Sequence, residues 1–518
     1  MSVPPDPAPA EEVNVERQRR NLRRWILAAL MSTMMLAAMD TTIVATAIPQ
    51  IVGDLGGFAL LSWVFSIYLL AQTVTIPVYG KLSDIFGRKP VLVIGTLIFL
   101  TGSAVSAASW SMVSLIVFRG LQGLGAGAII ATVSTLAGDL YSIRERAAIQ
   151  GWLSSVWGIS AIVGPTLGGV FAEYASWRWI FLVNLPIGAL ALVLIGGFLH
   201  EEFERRRPSI DVAGAALVLL SAGTLIFGLL QGGTAWPWAS RSSIAVFAIA
   251  AVLIAAAVLA ERRAAEPIMP GWLWRQRVLA GANLSMVGMG LVMMAPDTYL
   301  PIFAQSVLGH GAIAAGFVLA SMSIGWPFAS SVSGRLYMHI GFRDTALAGA
   351  VLVLVAIGGF LALPFGAPTW PVVLDQVVLG AGFGLLSTPM LVGVQSTVGW
   401  EQRGVVTGAN MFSRYLGQSL GAAIFGAIFN GTIRAHLANA PTVLAGQLPQ
   451  SVNDVVSVAN GHRLGAAAST WLRTAIYDAT HHLYLGMLLI AAVMIVVVLM
   501  TPRRFALAAG NREVPGRG

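Results

Sequence analysis

The chain alternates between long apolar runs and short polar segments. Fourteen of the runs are of a length, about 20 residues, that lets a helix cross the hydrocarbon core of a bilayer. They fall at residues 25–48, 60–80, 91–109, 113–138, 148–172, 180–199, 211–231, 242–261, 279–303, 313–334, 345–364, 371–393, 405–430 and 481–501. The pattern therefore predicts an all-α integral membrane protein with fourteen transmembrane helices.

The polar segments divide these spans into groups. Six spans fall within residues 25–200 and six within residues 279–501. The two spans between them, in residues 201–278, are interpreted as an insertion with flanking cytoplasmic loops. A polar stretch rich in Ala and Ser, residues 431–480, is predicted to be a long external loop, and we assign no function to it.

A short charged sequence occurs once in each group of six spans. Residues 80–90 read GKLSDIFGRKP, and residues 334–343 repeat both glycines, the leucine and a base at two positions. The second copy has Met338 where the first has Asp84. Each copy follows the second span of its group, so the chain is predicted to consist of two parallel six-helix halves.

Composition excludes several classes of protein. Charged residues make up 10% of the chain and hydrophobic residues 56%, whereas soluble domains carry about 25% charge. The chain has no cysteine, which excludes disulfides, thiolate metal sites and cysteine nucleophiles. The adjacent His481 and His482 lack helical spacing and are interpreted as interfacial residues, not as a metal site. The sequence has no Gly-x-x-x-x-Gly-Lys-(Ser/Thr) loop, so neither a nucleotide nor another cofactor is expected.

Basic residues are distributed unevenly between the two sides that the spans define. Of the 31 Lys and Arg residues, 24 lie on the side of the N-terminus, five lie on the other side and two lie within spans. Because basic loops favour the cytoplasm, residues 1–24, interpreted as a disordered tail, and the tail 502–518 are both predicted to be cytoplasmic. We expect a multi-pass protein of the plasma (inner) membrane. Its net charge of +8 needs no nucleic acid to explain it.

The first copy of the charged sequence has features that a simple connection does not need. Gly80 and Gly87 permit backbone angles that side chains disfavour, which predicts a tight cytoplasmic turn. Asp84 and Arg88 are four residues apart and could pair if the segment is helical. Asp139, at the cytoplasmic end of the fourth span, could pair with Arg88 and hold that side closed. The alternative is a turn whose charges only set the orientation.

Four charged residues within the predicted spans are candidates for a transport site. A charged side chain inside a bilayer must face a cavity or a partner. A carboxyl group in such a site can take up and release a proton near neutral pH, so Asp40 and then Asp297 are the candidate proton sites. Arginine does not release its proton, so Arg119 and Arg414 are expected to tune a carboxylate or to bind an acceptor. The alternatives are permanent structural ion pairs and, for Asp297, an interfacial helix end.

Asp40 and Arg119 are predicted to lie at similar depths. Asp40 is about eight residues, roughly 12 Å, from the outer end of the first span, and Arg119 is about six residues, roughly 9 Å, from the outer end of the fourth. These depths permit an interaction. The sequence does not give the rotation of either helix, so it does not establish the contact.

The charged sequence resembles a known family signature. GKLSDIFGRKP is similar to the loop signature of the major facilitator superfamily. Fourteen spans resemble the drug:proton antiporter branch of that superfamily. In the family this loop joins the second and third helices and acts as a latch of the cytoplasmic gate. The resemblance implies a gate formed by Gly80, Asp84, Gly87, Arg88, Lys89 and Asp139.

Three further motifs resemble the same branch. The segment around Asp40 resembles the first-helix signature of the antiporters, with Met39 in place of the usual leucine and Thr46 as the polar residue near the usual asparagine position. Arg119 begins a segment similar to the fourth-span motif that is implicated in proton coupling. A Gly-Pro-x-x-Gly-Gly core in the fifth span resembles the motif linked to export. That motif comprises Gly158, Gly164, Pro165, Gly168 and Gly169.

The resemblance implies secondary active efflux by alternating access. Inward proton movement would drive the antiport of small hydrophobic compounds, cationic drugs included, by a protein that works as a monomer in the lipid bilayer. A periplasmic adaptor would be a further partner if the cell is Gram-negative. A narrow-substrate exporter or an importer on the same fold is the alternative. A membrane enzyme or sensor is disfavoured, because the sequence has no recognisable catalytic cluster or soluble signalling domain.

Overall fold

The computed structural model describes residues 9–57, 60–201, 211–233, 235–445, 447–449, 455 and 465–508. Among these residues, fourteen helices are long and apolar enough to cross a membrane. They are α1 (Pro9–Thr46), α2 (Leu61–Phe86), α3 (Arg88–Ala107), α4 (Met112–Leu140), α5 (Ile143–Tyr174), α6 (Trp179–Phe198), α7 (Val212–Gln231), α8 (Arg241–Arg263), α9 (Arg277–Ser306), α10 (Ala314–Ile340), α11 (Phe342–Leu361), α12 (Thr369–Ser396), α13 (Arg403–Ala438) and α14 (Ala466–Met500). The predicted all-α membrane fold is therefore confirmed.

In the described part of the chain, four shorter segments lie between these helices. They are the helices Ile48–Leu55, Trp272–Arg275 and Thr442–Ala445 and the 3-10 turn Trp400–Gln402. The six-helix halves, α1–α6 and α9–α14, each bury an apolar core, which includes Phe99 in the first half and Phe383 in the second. The inserted helices stand at the edge, where α7 contacts α2 and α13 and α8 contacts α7. α7 thus touches both halves.

The predicted N-terminal tail and the predicted external loop are both partly helical in the structure. α1 begins at Pro9, so residues 9–24 of the predicted disordered tail are helical, and residues 1–8 lie outside the described residues. This stretch is rich in Glu and Arg, which are good helix formers. In the predicted loop 431–480, α13 extends to Ala438 and α14 begins at Ala466. α14 begins this early because its first turns carry an apolar face at helical spacing. The buried residues of this face are Leu472, Ala475, Ile476 and Ala479.

The predicted turn around the charged sequence is shorter than expected. α2 continues through Phe86 and α3 begins at Arg88, so the turn is confined to Gly87. Gly87 has φ +92° and its counterpart in the second half, Gly341, has φ +89°, a region that favours glycine. Gly80 lies inside α2, so the prediction that it forms part of the turn is wrong.

Candidate transport site and gate

The ends of α2, α4, α5, α12 and α13 meet at one side of the helix bundle. This is the basic side, defined by Lys81, Arg88, Arg146 and Arg403. α2 packs on α13 and α5 packs on α10 across the seam between the two halves. The polar contacts that cross the seam lie on the basic side, and the structure is closed there.

Asp84, in the last turn of α2, ties the two halves together. Its Oδ1 lies 2.6 Å from Nη1 of Arg88. Its carboxylate also accepts hydrogen bonds from the backbone N–H groups of Gly404 and Val405, both at 2.8 Å. Those N–H groups begin α13, where a helix lacks internal acceptors and its dipole favours a negative charge. A carboxylate of the first half therefore caps a helix of the second.

Asp139 bridges one arginine from each half. Its Oδ2 accepts from Nε of Arg88 at 2.9 Å, and its Oδ1 accepts from Nη1 of Arg403 at 2.9 Å. Arg88 is fully buried, donates to the carbonyl oxygen of Trp400 at 2.7 Å and lies 4.2 Å from the centre of the Trp400 ring. We call Asp84, Arg88, Asp139, Arg403 and the first turn of α13 the latch.

Two other predicted gate residues, Gly80 and Lys89, lie close to the latch. A β-carbon at Gly80 would lie 2.5 Å from the carbonyl oxygen of Gly404, so glycine is required for α2 to approach α13 this closely. Lys89 does not cross the seam, because its Nζ donates to the carbonyl oxygens of Gly196 and Leu199 at 3.1 and 2.6 Å, at the end of α6.

Sequence reasoning missed three charged residues of the basic side. Arg403 completes the latch. Glu201 accepts hydrogen bonds from the backbone N–H groups of Arg88 and Lys89 at 2.8 Å and so caps α3. Glu266, which follows α8, pairs with Lys81 of α2 at 2.5 Å. No sequence motif marks Glu201 or Glu266, since both act through contacts with distant segments.

Asp40 and Arg119 form a buried ion pair inside the first half. Nε2 of Gln122 donates to Oδ1 of Asp40 at 2.8 Å, and Nη1 of Arg119 donates to Oε1 of Gln122 at 2.8 Å. The guanidinium of Arg119 lies 4.2 Å from the centre of the Tyr68 ring. The contact that the predicted depths permit is therefore present. Gln122 could have been found from its position three residues after Arg119, on the same helix face.

The charged candidates of the second half do not form such a pair. Asp297 of α9 and Arg414 of α13 interact electrostatically, yet the described residues include no ion pair between them. Nε of Arg414 is buried without a hydrogen-bond partner among the described residues. Its guanidinium lies 5.0 Å from the centre of the Tyr415 ring. Arg414 therefore lacks the acceptors that Arg119 has.

Arg414 faces a small cavity between the two halves. The cavity has a volume of about 40 Å³. It is lined by Gln150 and Ser154 of α5, Met286 of α9, Trp326 of α10, Ser387, Thr388 and Leu391 of α12, and Asn410, Met411 and Arg414 of α13. A cavity needs about 10–15 Å³ to hold one water molecule, and drug-sized ligands need about 300 Å³ or more. Transport of a drug-sized compound therefore requires the seam to open.

The glycines of the α5 motif differ in their surroundings. A β-carbon at Gly158 would lie 2.8 Å from Cβ of Ser323 in α10, across the seam. Gly164 and Gly168 lie against α1, where a β-carbon would clash with threonine side chains. A β-carbon at Gly169 would meet nothing within 4 Å. The motif therefore forms one contact with the other half and two with α1.

Pro165 lies inside α5, where it removes one helical hydrogen bond. In the turn before it, Thr42 of α1 donates a hydrogen bond to the carbonyl oxygen of Ser160 at 2.9 Å. α1 is thus tied to α5 two residues after Asp40. A change around Asp40 can reach α5 directly through this contact.

A profile of the Major Facilitator Superfamily matches residues 30–422. The chain belongs to this superfamily. It is 33% identical over 415 residues to the multidrug transporter protein MdtP of Bacillus subtilis, with 80% of this chain and 76% of the relative covered. It is 35% identical over 408 residues to multidrug resistance protein 3 of the same organism, with 78% and 79% covered. The chain is accordingly a membrane transport protein and not an enzyme.

A solved structure shows the same fold. A bacterial homologue of the iron transporter ferroportin, in an outward-facing state, superposes with a TM-score of 0.60 and covers 92% of this chain and 99% of its own. The two sequences are 12% identical, so this likeness concerns the fold alone.

Proposed function

We propose that this transporter exports small hydrophobic compounds from the cytoplasm by proton-driven antiport, in the plasma (inner) membrane. The observation that carries the proposal is the buried pair of Asp40 and Arg119. An ionisable pair at membrane depth is costly to maintain, and a buried carboxylate can take up a proton. The names of the two Bacillus subtilis relatives support drugs as the transported compounds. A further relative, from Gibberella moniliformis, is named as an efflux pump, which supports export as the direction of transport.

Protonation of Asp40 would alter the core of the first half. The pair is held by opposite charges, and a neutral Asp40 would leave the buried guanidinium of Arg119 without a counter-charge. Its remaining contacts would be the neutral acceptors of Gln122 and Val64 and the rings of Tyr68 and Phe181. Breaking one side of a buried ion pair costs about 3–5 kcal/mol. This energy is enough to bias a two-state equilibrium strongly, and α1 transmits the change to α5 through Thr42.

The latch supplies the element that must open and close. The excess of basic residues supports a cytoplasmic location for the basic side. The conformation described here is then closed to the cytoplasm. Opening to the cytoplasm requires Asp84 to leave the start of α13 and Asp139 to release Arg403. Proton binding from outside and compound binding from inside would favour opposite states of this seam.

The test is transport in everted membrane vesicles with an acidic interior. Wild type should accumulate ethidium or the zwitterion norfloxacin, and a protonophore should abolish the accumulation. Asp40→Asn should lose proton-coupled accumulation. Asp54→Asn is the control, because Asp54 is an exposed acid that pairs with Arg178 outside the membrane core and should behave as wild type. Accumulation by Asp40→Asn at the wild-type rate, or no gradient-dependent transport of either compound by wild type, would overturn the proposal.

A further inference from the structure

We propose that the cavity beside Arg414 binds the carboxylate or another anionic group of the exported compound, so that anionic and zwitterionic amphiphiles are among the substrates. The inference rests on the proposed export function and specifies the class of compound. It is supported by three observations: Arg414 lacks a hydrogen-bond or ion-pair partner among the described residues, the cavity lining has suitable chemistry, and the cavity lies on the seam.

Arg414, which is partly buried, differs from the buried arginines of the bundle. Each of the others donates to acceptors in the protein: Arg88 to Asp139, Arg119 to Asp40, Arg146 to Ser396 and Arg403 to Asp139. Arg414 forms no hydrogen bond or ion pair with a described residue. A guanidinium inside a membrane protein is costly without an acceptor. An anionic group of a ligand would provide one, in the forked geometry that guanidinium prefers.

The lining of the cavity suits an anionic head group on an apolar body. Gln150, Ser154 and Thr388 carry groups that can donate hydrogen bonds. None of the described lining residues is acidic. The other walls, which include Trp326 and Met411, are apolar. A cationic group placed here would meet the guanidinium of Arg414 with no lining carboxylate to offset the repulsion.

Asp297 does not lie in the cavity beside Arg414. It lies on α9 at a distance from which it interacts electrostatically with Arg414, and it does not line the cavity. A substrate carboxylate in the cavity would therefore lie nearer to the guanidinium than Asp297 does. It would be the direct partner of Arg414, and Asp297 would remain a more distant charge.

The cavity also lies where an occupant would touch both halves. Gln150 and Ser154 belong to the first half, whereas Asn410 and Arg414 belong to the second. Arg414 is eleven residues into α13, and the latch holds the first turn of the same helix. The anionic group of a bound compound would thus contact α5 and α13 close to the latch. This is the position in which ligand binding can influence the opening of the latch.

The test compares a carboxylate with a neutral analogue of nearly the same shape. Binding of 1-naphthaleneacetate and 1-naphthaleneacetamide to the purified full chain would be measured by calorimetry, without a proton gradient. Wild type should bind the carboxylate about ten-fold or more tightly than the amide, which is the range expected for a charged hydrogen bond. Arg414→Gln should remove this preference, and Arg414→Lys should retain part of it.

A matched control and a second set of variants keep the test decisive. Arg473→Gln changes an arginine of α14 that donates to the carbonyl oxygen of Val307, away from the cavity, and should keep the preference. If Arg414→Gln does not fold, Ser154→Leu and Asn410→Leu should each weaken carboxylate binding several-fold. No binding of either compound to wild type, equal binding of both, or a preference that survives in Arg414→Gln would overturn the inference.

The outcome is separable from that of the export test. Carboxylate selectivity that depends on Arg414, in a protein without proton-driven transport, would uphold the site and overturn the export function. Proton-driven transport of ethidium or norfloxacin without carboxylate selectivity would do the reverse.

Discussion

Adjacent glycines in α5 are not equivalent. Gly168 lies against α1, and a β-carbon there would come within 2.6 Å of the carbonyl oxygen of Ile43. Gly169 has open surroundings on the next position of the helix. The sequence motif contains both, yet the contact between α1 and α5 depends on only one of them.

This difference predicts opposite effects of the same substitution. Gly168→Ala should destabilise the protein by about 1–3 kcal/mol, because the added methyl group overpacks the contact with α1. Gly169→Ala should be neutral or stabilise the protein by about 0.5–1 kcal/mol, because alanine favours the helix. Thermal unfolding of the two purified variants measures the difference. Equal losses would show that the described packing of α5 on α1 is wrong.

Single residues also show what the sequence could and could not predict about the site. The sequence predicts that Asp40 and Arg119 can pair, because hydropathy gives the depth of each residue in its span. The sequence does not predict the lack of a partner for Arg414, since that depends on the rotation and tilt of α9 and α13. Hydropathy carries neither quantity.

At the scale of elements, the latch joins the end of α2, the end of α4 and the start of α13. Its charges are nearly all buried, and each carboxylate contacts groups from both halves. The second copy of the charged sequence has no equivalent, because Met338 stands in the place of Asp84. There the seam is closed instead by packing, and Tyr337 of α10 donates a hydrogen bond to the carbonyl oxygen of Ile143 in α5.

Weakening the latch should expose the buried seam. Thr407 is fully buried beside the latch, and the chain has no native cysteine, so Thr407→Cys provides a single reporter. In everted vesicles, Asp84→Asn should raise the rate of its labelling by an impermeant thiol reagent about ten-fold or more, since charged hydrogen bonds contribute about 1.5–3 kcal/mol. The reason is that asparagine cannot replace the charge that holds Arg88 and caps α13.

Asp344→Asn is the matched control for this experiment. Asp344 pairs with Arg343 and Arg503 at the start of α11 and does not cross the seam. Asp344→Asn should therefore leave the labelling rate of Thr407→Cys unchanged. Equal acceleration by both variants would contradict the latch, and faster labelling from the opposite face of the membrane would contradict the orientation.

The helix ends explain why element boundaries were harder to predict than the number of spans. Fourteen apolar runs are visible because the bilayer imposes their length. The last turn of α2 and the first turns of α14 lie beyond those runs and are stabilised by specific partners. Asp84 accepts a hydrogen bond from the start of α13, and Tyr477 of α14 donates a hydrogen bond to the carbonyl oxygen of Leu363 at 2.6 Å. Such contacts with distant residues are absent from local hydropathy.

At the scale of the whole molecule, two similar halves meet at a seam that is closed on one side. The Asp40 pair lies in the first half, the Arg414 cavity lies between the halves, and the latch lies below the cavity. α1 and α5 connect the pair to the seam through Thr42 and Gly158. In the proposed function, the proton and the compound therefore bind at separate places, and each binding event shifts the equilibrium between the closed and open seam.

In the proposed function, export of a compound is coupled to inward movement of protons. The most direct measurement uses the purified protein in liposomes that contain ethidium or norfloxacin and a trapped pH-sensitive dye, with the membrane potential clamped. Outward movement of the compound should acidify the interior with wild type and should not do so with Asp40→Asn. Export by wild type without a pH change, or with alkalinisation of the interior, would contradict proton antiport.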